Sequence, residues 1–157
     1  MRRLLFWTIF TVAAIWGQFL VPGADFLAAG FVVSLQEQKR SRTIWLVLVW
    51  ILLQEGMGSL AFGTVPLLYG TLYLGYHCGR WLFEPKNFLF ICLLGIFSGV
   101  MQAWLGLTMA ALQDAVPDRQ AVLTAAAIQI SLLPLEWALL TKLYAKYAVR
   151  HAYRAAA

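Results

Sequence analysis

Glu55 and Glu136 are the carboxylates best placed for chemistry, because each stands inside an otherwise apolar run. A charged side chain near the middle of a bilayer costs about 2.5 to 3.5 kcal/mol on insertion scales, so it is kept where it faces a bundle interior, a cavity or a partner. Gln54 adds a second polar group beside Glu55. Glu136 follows closely on Pro134, where the helix is expected to kink. The direction of each run puts Glu55 in the outer half of a membrane and Glu136 in the inner half, which argues against a direct pair. Each also has a structural reading: Gln54 and Glu55 beside a helix break, Glu136 buried against a neighbouring helix.

Other chemistry finds little support. The chain has no G-x-S-x-G, no H-E-x-x-H, no phosphate-binding loop and no Cys or His pair at metal-ligand spacing. His77 and Cys78 are adjacent, so on a helix they point about 100° apart and cannot both face one ion without further ligands. Ser98 before Gly99 resembles the serine of an intramembrane protease, but no His lies at a matching depth. No catalytic residue, cofactor or metal ligand is expected. Cys78 and Cys92 fall near the inner ends of their runs, where thiols stay reduced.

Small residues at four-residue spacing mark where helices can touch. Gly75 with Gly79 and Gly95 with Gly99 are G-x-x-x-G pairs, while Ala13 with Gly17 and Ser59 with Gly63 are looser versions. Such pairs let backbones approach closely. They read as packing faces or as partner faces, and Gly58 joins them in the small-residue stretch that ends at Gly63.

The elements that hold these residues follow from charge and hydropathy. Hydrophobic residues make up 62% of the 157 and charged ones only 12%, with a mean hydropathy of +0.74. That leaves too little polar surface to cover a soluble globule. Eleven of the twelve Lys and Arg fall in alternate gaps between apolar runs: Arg2 and Arg3; Lys39, Arg40 and Arg42; Arg80 and Lys86; Lys142, Lys146, Arg150 and Arg154. Short basic loops stay on the cytoplasmic side, so the loops alternate sides. The expected fold is an all-α membrane protein, one compact bundle of six transmembrane helices with both termini cytoplasmic. The spans are residues 4–20, 24–36, 43–62, 66–82, 88–107 and 122–143, followed by a basic tail, 144–157. The second is short for a core of about 30 Å, but a single crossing between Arg3 and Lys39 would put two basic clusters on opposite sides. Two short, protein-shielded helices fit better. Trp7, Trp45 and Trp81 fall near inner boundaries and Trp104 near an outer one, as an interfacial aromatic belt would place them.

The formal net charge of +5 sits in these loops without a groove or stacking platform, so nucleic acid is not the expected counter-charge. Anionic lipid is. In the tail, Lys142, Lys146, Arg150 and Arg154 recur every four residues and form a slowly drifting stripe along a helix. It reads either as a lipid anchor or as a docking face for a cytoplasmic partner.

Taken together, a short second span opening Ala24-Asp25-Phe26-Leu27, a basic turn, and then Glu55-Gly56-Met57-Gly58-Ser59-Leu60-Ala61-Phe62-Gly63 before a Gly75- and Gly79-bearing helix make the whole chain resemble the MreD family. Glu55 stands where that family's pattern has Asp. The resemblance implies a non-catalytic scaffold of the bacterial inner membrane. Such a scaffold binds the membrane-anchored periplasmic protein MreC and helps couple cytoplasmic MreB filaments to the peptidoglycan glycosyltransferase and transpeptidase. The alternative is the substrate-binding component of an energy-coupling-factor vitamin transporter, whose six-helix fold the MreD family resembles. That role calls for an outer polar pocket, for which the sequence offers only Gln54, Glu55 and Gln102.

Overall fold

The computed structural model describes residues 2–37, 39–57, 63–114 and 118–155, and side chains for all of these except 2–4 and 147–155. Among them there are six helices and no strand: α1 (Arg2–Leu20), α2 (Phe26–Gln36), α3 (Arg40–Gly56), α4 (Thr64–Gly79), α5 (Phe88–Leu112) and α6 (Arg119–Ala155). The chain is all-helical, and the helices follow the apolar runs. One end differs: α5 runs on to Leu112, five residues past the expected span. α6 continues as a helix through the basic tail, as the four-residue spacing of its charges implied, where no Pro or Gly interrupts a helix-favouring run. Residues 58–62, including Gly58 and Ser59, lie outside the described residues.

Two stretches, Phe88–Leu112 and Arg119–Lys146, are long and apolar enough to cross a membrane by length and composition. α2, α3 and α4 have 11, 17 and 16 residues, or about 16 to 26 Å at about 1.5 Å per residue.

Local chemistry sets the helix starts. Val21, Pro22, Gly23 and Ala24 form a tight turn in which Ala24 N donates to Val21 O at 3.2 Å. Gly23 sits at φ 87°, the third position of a type II turn that Pro at the second position favours. Asp25 then caps α2, its carboxylate accepting from Leu27 N. Asn87 caps α5 in the same way, and Asp118 accepts from Gln120 N at 3.0 Å to start α6.

α2 is the centre of the bundle. Its residues from Leu27 to Ser34 are all buried, and it packs on α1, α3 and α6 while α5 lies between α4 and α6. At its far end Gln36 donates to Pro85 O at 2.6 Å and accepts from Trp137 Nε1 at 3.0 Å. Trp7 and Trp50 are almost wholly buried, with ring centroids 5.8 Å apart. Trp7 therefore belongs to the core and not to a boundary belt: its helix turns it onto Trp50 and Phe10. Trp45, Trp81 and Trp104 are exposed, as is Trp16.

Candidate functional site

All six helices converge on the turn that joins α1 to α2. Four donors point at Oδ1 of Asp25: Gln54 Nε2 at 2.7 Å, Leu27 N at 3.0 Å, and Gln18 Nε2 and Tyr69 Oη both at 3.3 Å. An oxygen has two well-directed lone pairs, so the two short contacts are full hydrogen bonds and the two long ones are weaker. The backbone of Asp25 is held as firmly. Its N–H donates to Gln129 Oε1 at 2.8 Å, and Gln129 Nε2 returns to Asp25 O at 3.3 Å. Gln102 Nε2 donates to Gly23 O at 2.6 Å. Thus α1 supplies Gln18, α3 Gln54, α4 Tyr69, α5 Gln102 and α6 Gln129, all meeting the cap of α2.

Asp25 is only 7% exposed and Gln129 1%, which removes water as a competitor and raises the cost of any unmet polar atom. Oδ2 of Asp25 is buried with no hydrogen-bond partner among the described residues. Chemically, this is a sealed node that fixes helix positions. His77 lies eight residues beyond Tyr69, about 12 Å along α4, against Tyr73 and Tyr76. Among the described residues no three His, Cys, Asp or Glu gather as metal ligands. Cys78 and Cys92 are free thiols.

Of the candidates named from sequence, Gln54 enters this node, and Glu55 turns the other way. The Glu55 carboxylate accepts from Gly63 N at 3.1 Å through both oxygens and from Val65 N at 3.3 Å. Gly63 is the N-cap of α4 at φ 88° and supplies no side chain, so Glu55 acts as the missing cap from the end of α3. Among the described residues a Cβ on Gly63 would meet nothing within 4 Å, and its positive φ is the feature that favours glycine there.

Glu136 is separate from both. It is half-buried on α6 in a groove of about 480 Å³ against α1, and among the described residues its buried Oε2 has no hydrogen-bond partner. The groove walls are Leu5, Ile9 and Ala13 from α1 and Leu139 and Leu143 from α6.

The glycine pairs divide by what they meet. A Cβ on Gly95 would lie 2.9 Å from Ile130 O, and one on Gly99 2.7 Å from Ala126 O, so α5 and α6 touch backbone to backbone. Gly75 and Gly79 instead receive the rings of Phe97 and Phe90, with Cβ distances of 2.6 and 2.3 Å. In the tail, Lys142 and Lys146 are exposed, while the side chains of Arg150 and Arg154 lie outside the described residues.

Asp25, Gln18, Tyr69 and Gln129 were not among the sequence candidates. Asp25 reads as one more loop charge until the turn is folded. The available signals were the Pro-Gly turn just before an N-cap Asp and four Gln residues, 18, 54, 102 and 129, each inside an apolar run. Comparison with protein-family models, with curated proteins and with solved structures gives no match to this chain.

Proposed function

We propose that the chain is a six-span, non-catalytic membrane scaffold of the MreD kind, with both termini cytoplasmic. In this reading the groove between α1 and α6 seats the transmembrane helix of a single-span partner, MreC. The assembly couples MreB filaments to the peptidoglycan glycosyltransferase and transpeptidase. The observation that carries the proposal is the buried, unpartnered Oε2 of Glu136 in a groove otherwise lined by apolar side chains. An unmet buried acceptor costs about 1 to 3 kcal/mol, and a donor on a partner helix removes that cost.

The membrane part of the reading draws support from surface and ends. Leu5, Ile9, Val12, Trp16 and Phe19 on α1 and Ile44, Trp45, Leu48 and Leu52 on α3 are all exposed. Apolar faces of that extent are unfavourable in water and ordinary in lipid. Gln36 bonded to Pro85 O brings the basic turn at 39–42 to the same end of the bundle as Arg80 and Lys86, which supports the alternation of basic loops. The transporter alternative has less behind it, since Gln54 and Gln102 are bonded to the α1–α2 turn.

Two measurements test the proposal. Reporter fusions after Gly23, Thr64 and Asp118 should read periplasmic, and those after Arg40, Lys86 and Ala157 cytoplasmic; a periplasmic signal after Arg40 sinks the six-span reading. Glu136→Leu should leave the isolated chain at least as stable, because it removes an unmet acceptor, yet lower partner recovery about tenfold or more. Glu136→Gln should keep part of that recovery. Normal rod shape and undiminished recovery with Glu136→Leu would remove the docking role.

A further inference from the structure

α3 and α4 touch only sparsely, and between them lies a groove of about 1030 Å³, floored by Phe31 and Leu35 of α2. Its polarity changes along its length. One end carries Arg40, Arg80 and His77, the middle Thr43 and Tyr73, and the far end Ile51 and Pro66. Among the described residues no carboxylate lines it. Glu37, the acid near its basic end, is paired with Arg42, and Arg40 and Arg80 form no ion pair among the described residues. The N-cap of α3, Lys39, gives no side-chain hydrogen bond to the helix start, so the positive end of α3 adds to the field there.

The groove's length is informative. Arg40 to Ile51 is eleven residues, about 16 Å at about 1.5 Å per residue, or about half of a hydrocarbon core of about 30 Å. That is one leaflet. We propose that the groove is a binding site for one anionic glycerophospholipid. Its phosphate lies between Arg40 and Arg80, and its acyl chains lie along Ile44, Val47 and Leu48 over the α2 floor. Guanidinium groups suit phosphate because they are planar donors in a fixed fork. The proposal rests on the membrane reading above but not on the identity of any protein partner.

Gly70 supplies a steric test. It lines the groove, and among the described residues a Cβ added there would meet nothing within 4 Å. Gly70→Phe therefore starts from an open Cβ position and adds a ring on the groove side, and it replaces a poor helix former. The chain is purified in mild detergent, offered phosphatidylglycerol or phosphatidylcholine of the same acyl composition, and weighed intact by native mass spectrometry. At about 1 kcal/mol per juxtamembrane Arg, each arginine is worth about fivefold, so the pair should favour phosphatidylglycerol about thirtyfold. Arg40→Gln with Arg80→Gln should erase that preference. Gly70→Phe should lower retention of both lipids, at unchanged helix content. Lys142→Gln with Lys146→Gln should change neither.

Phosphatidylglycerol retained at wild-type level by the double arginine variant overturns the site, as does a preference lost only with the tail lysines. If Gly70→Phe leaves lipid retention intact but blocks recovery of a protein partner, the groove holds a helix and the lipid proposal is wrong. Release of the chain from membranes by alkaline carbonate overturns the membrane reading and the site with it, whereas the other outcomes overturn the site alone.

Discussion

Gln54 donates to Oδ1 of Asp25 at 2.7 Å, the shortest contact that oxygen receives, and so ties the last turns of α3 to the first residue before α2. The carboxylate also receives Gln18 of α1, Tyr69 of α4 and the first turn of α2, so displacing it loosens four helices. α5 and α6 instead hold the same turn through the backbone, Gln102 on Gly23 O and Gln129 on Asp25 N and O. A short, buried helix such as α2 cannot hold its own position by length. It is fixed at Asp25 and at Gln36, one at each end.

Asp25→Ala should be the most destabilising single change at the node. It leaves at least the Gln54 and Leu27 donors unmatched, at about 1 to 3 kcal/mol each. Tyr69→Phe removes only a 3.3 Å contact to an oxygen already served by two shorter ones, so its cost should stay below about 1 kcal/mol. Unfolding of both variants in the same detergent checks this, and equal losses would contradict the unequal weighting of the four donors.

The sequence carried the helices more clearly than the node. Apolar runs and basic gaps predict six elements, and Pro22-Gly23 predicts the turn, because these depend on local backbone limits and on hydropathy. Which loop charge points inward depends on tertiary closure, and so Asp25 passed for a solvated residue. Trp7 misled for the same reason: Arg2 and Arg3 suggest a boundary, while burial against Trp50 comes from the packing of α3. Glu55 was recognisable as unusual, but its role needed the position of Gly63.

The glycine pairs should respond unequally to alanine. At Gly99 the new methyl meets a backbone oxygen at 2.7 Å and Ile130 Cγ1 at 2.5 Å, and α5 and α6 must move apart. At Gly95 the oxygen in the way is that of Ile130, four residues before Pro134, which has no N–H to bond it. Gly75→Ala meets the ring of Phe97, which is only partly buried and can turn aside. Overpacking of about 1 to 3 kcal/mol is expected at Gly95 and Gly99, and less at Gly75. Comparing folded yields and melting in detergent would show it, and a more damaging Gly75→Ala would reverse the assignment of which pair brings backbones together.

Glu55→Leu should cost about 0.5 to 2 kcal/mol, the range for losing a helix N-cap, with faster amide exchange confined to the first turn of α4. Glu55→Gln keeps one acceptor and should lose less. At matched expression neither should alter recovery of a membrane partner, since the carboxylate is turned to Gly63 and Val65. Lost recovery with an intact α4 start would give Glu55 a contact beyond the chain.

α6 carries its helix through Ala155, so Lys142, Lys146, Arg150 and Arg154 share a continuous scaffold on which successive charges rotate by about 40°. An anionic leaflet rewards each of them by about 1 kcal/mol whatever its direction, and salt screens the effect. A protein partner depends on the direction. A tail with the same four charges scattered around the helix separates the two: under lipid anchoring it should match wild type in membrane retention and in recovery of cytoplasmic partners. Under directional docking it should keep membrane retention and lose recovery, as should Lys146→Glu with Arg150→Glu. Tyr144 packs on Phe6 with centroids 5.3 Å apart, which fixes the phase of the helix just before the stripe and favours the directional outcome. Restoration of full partner recovery by the scattered tail would reduce the stripe to an electrostatic anchor.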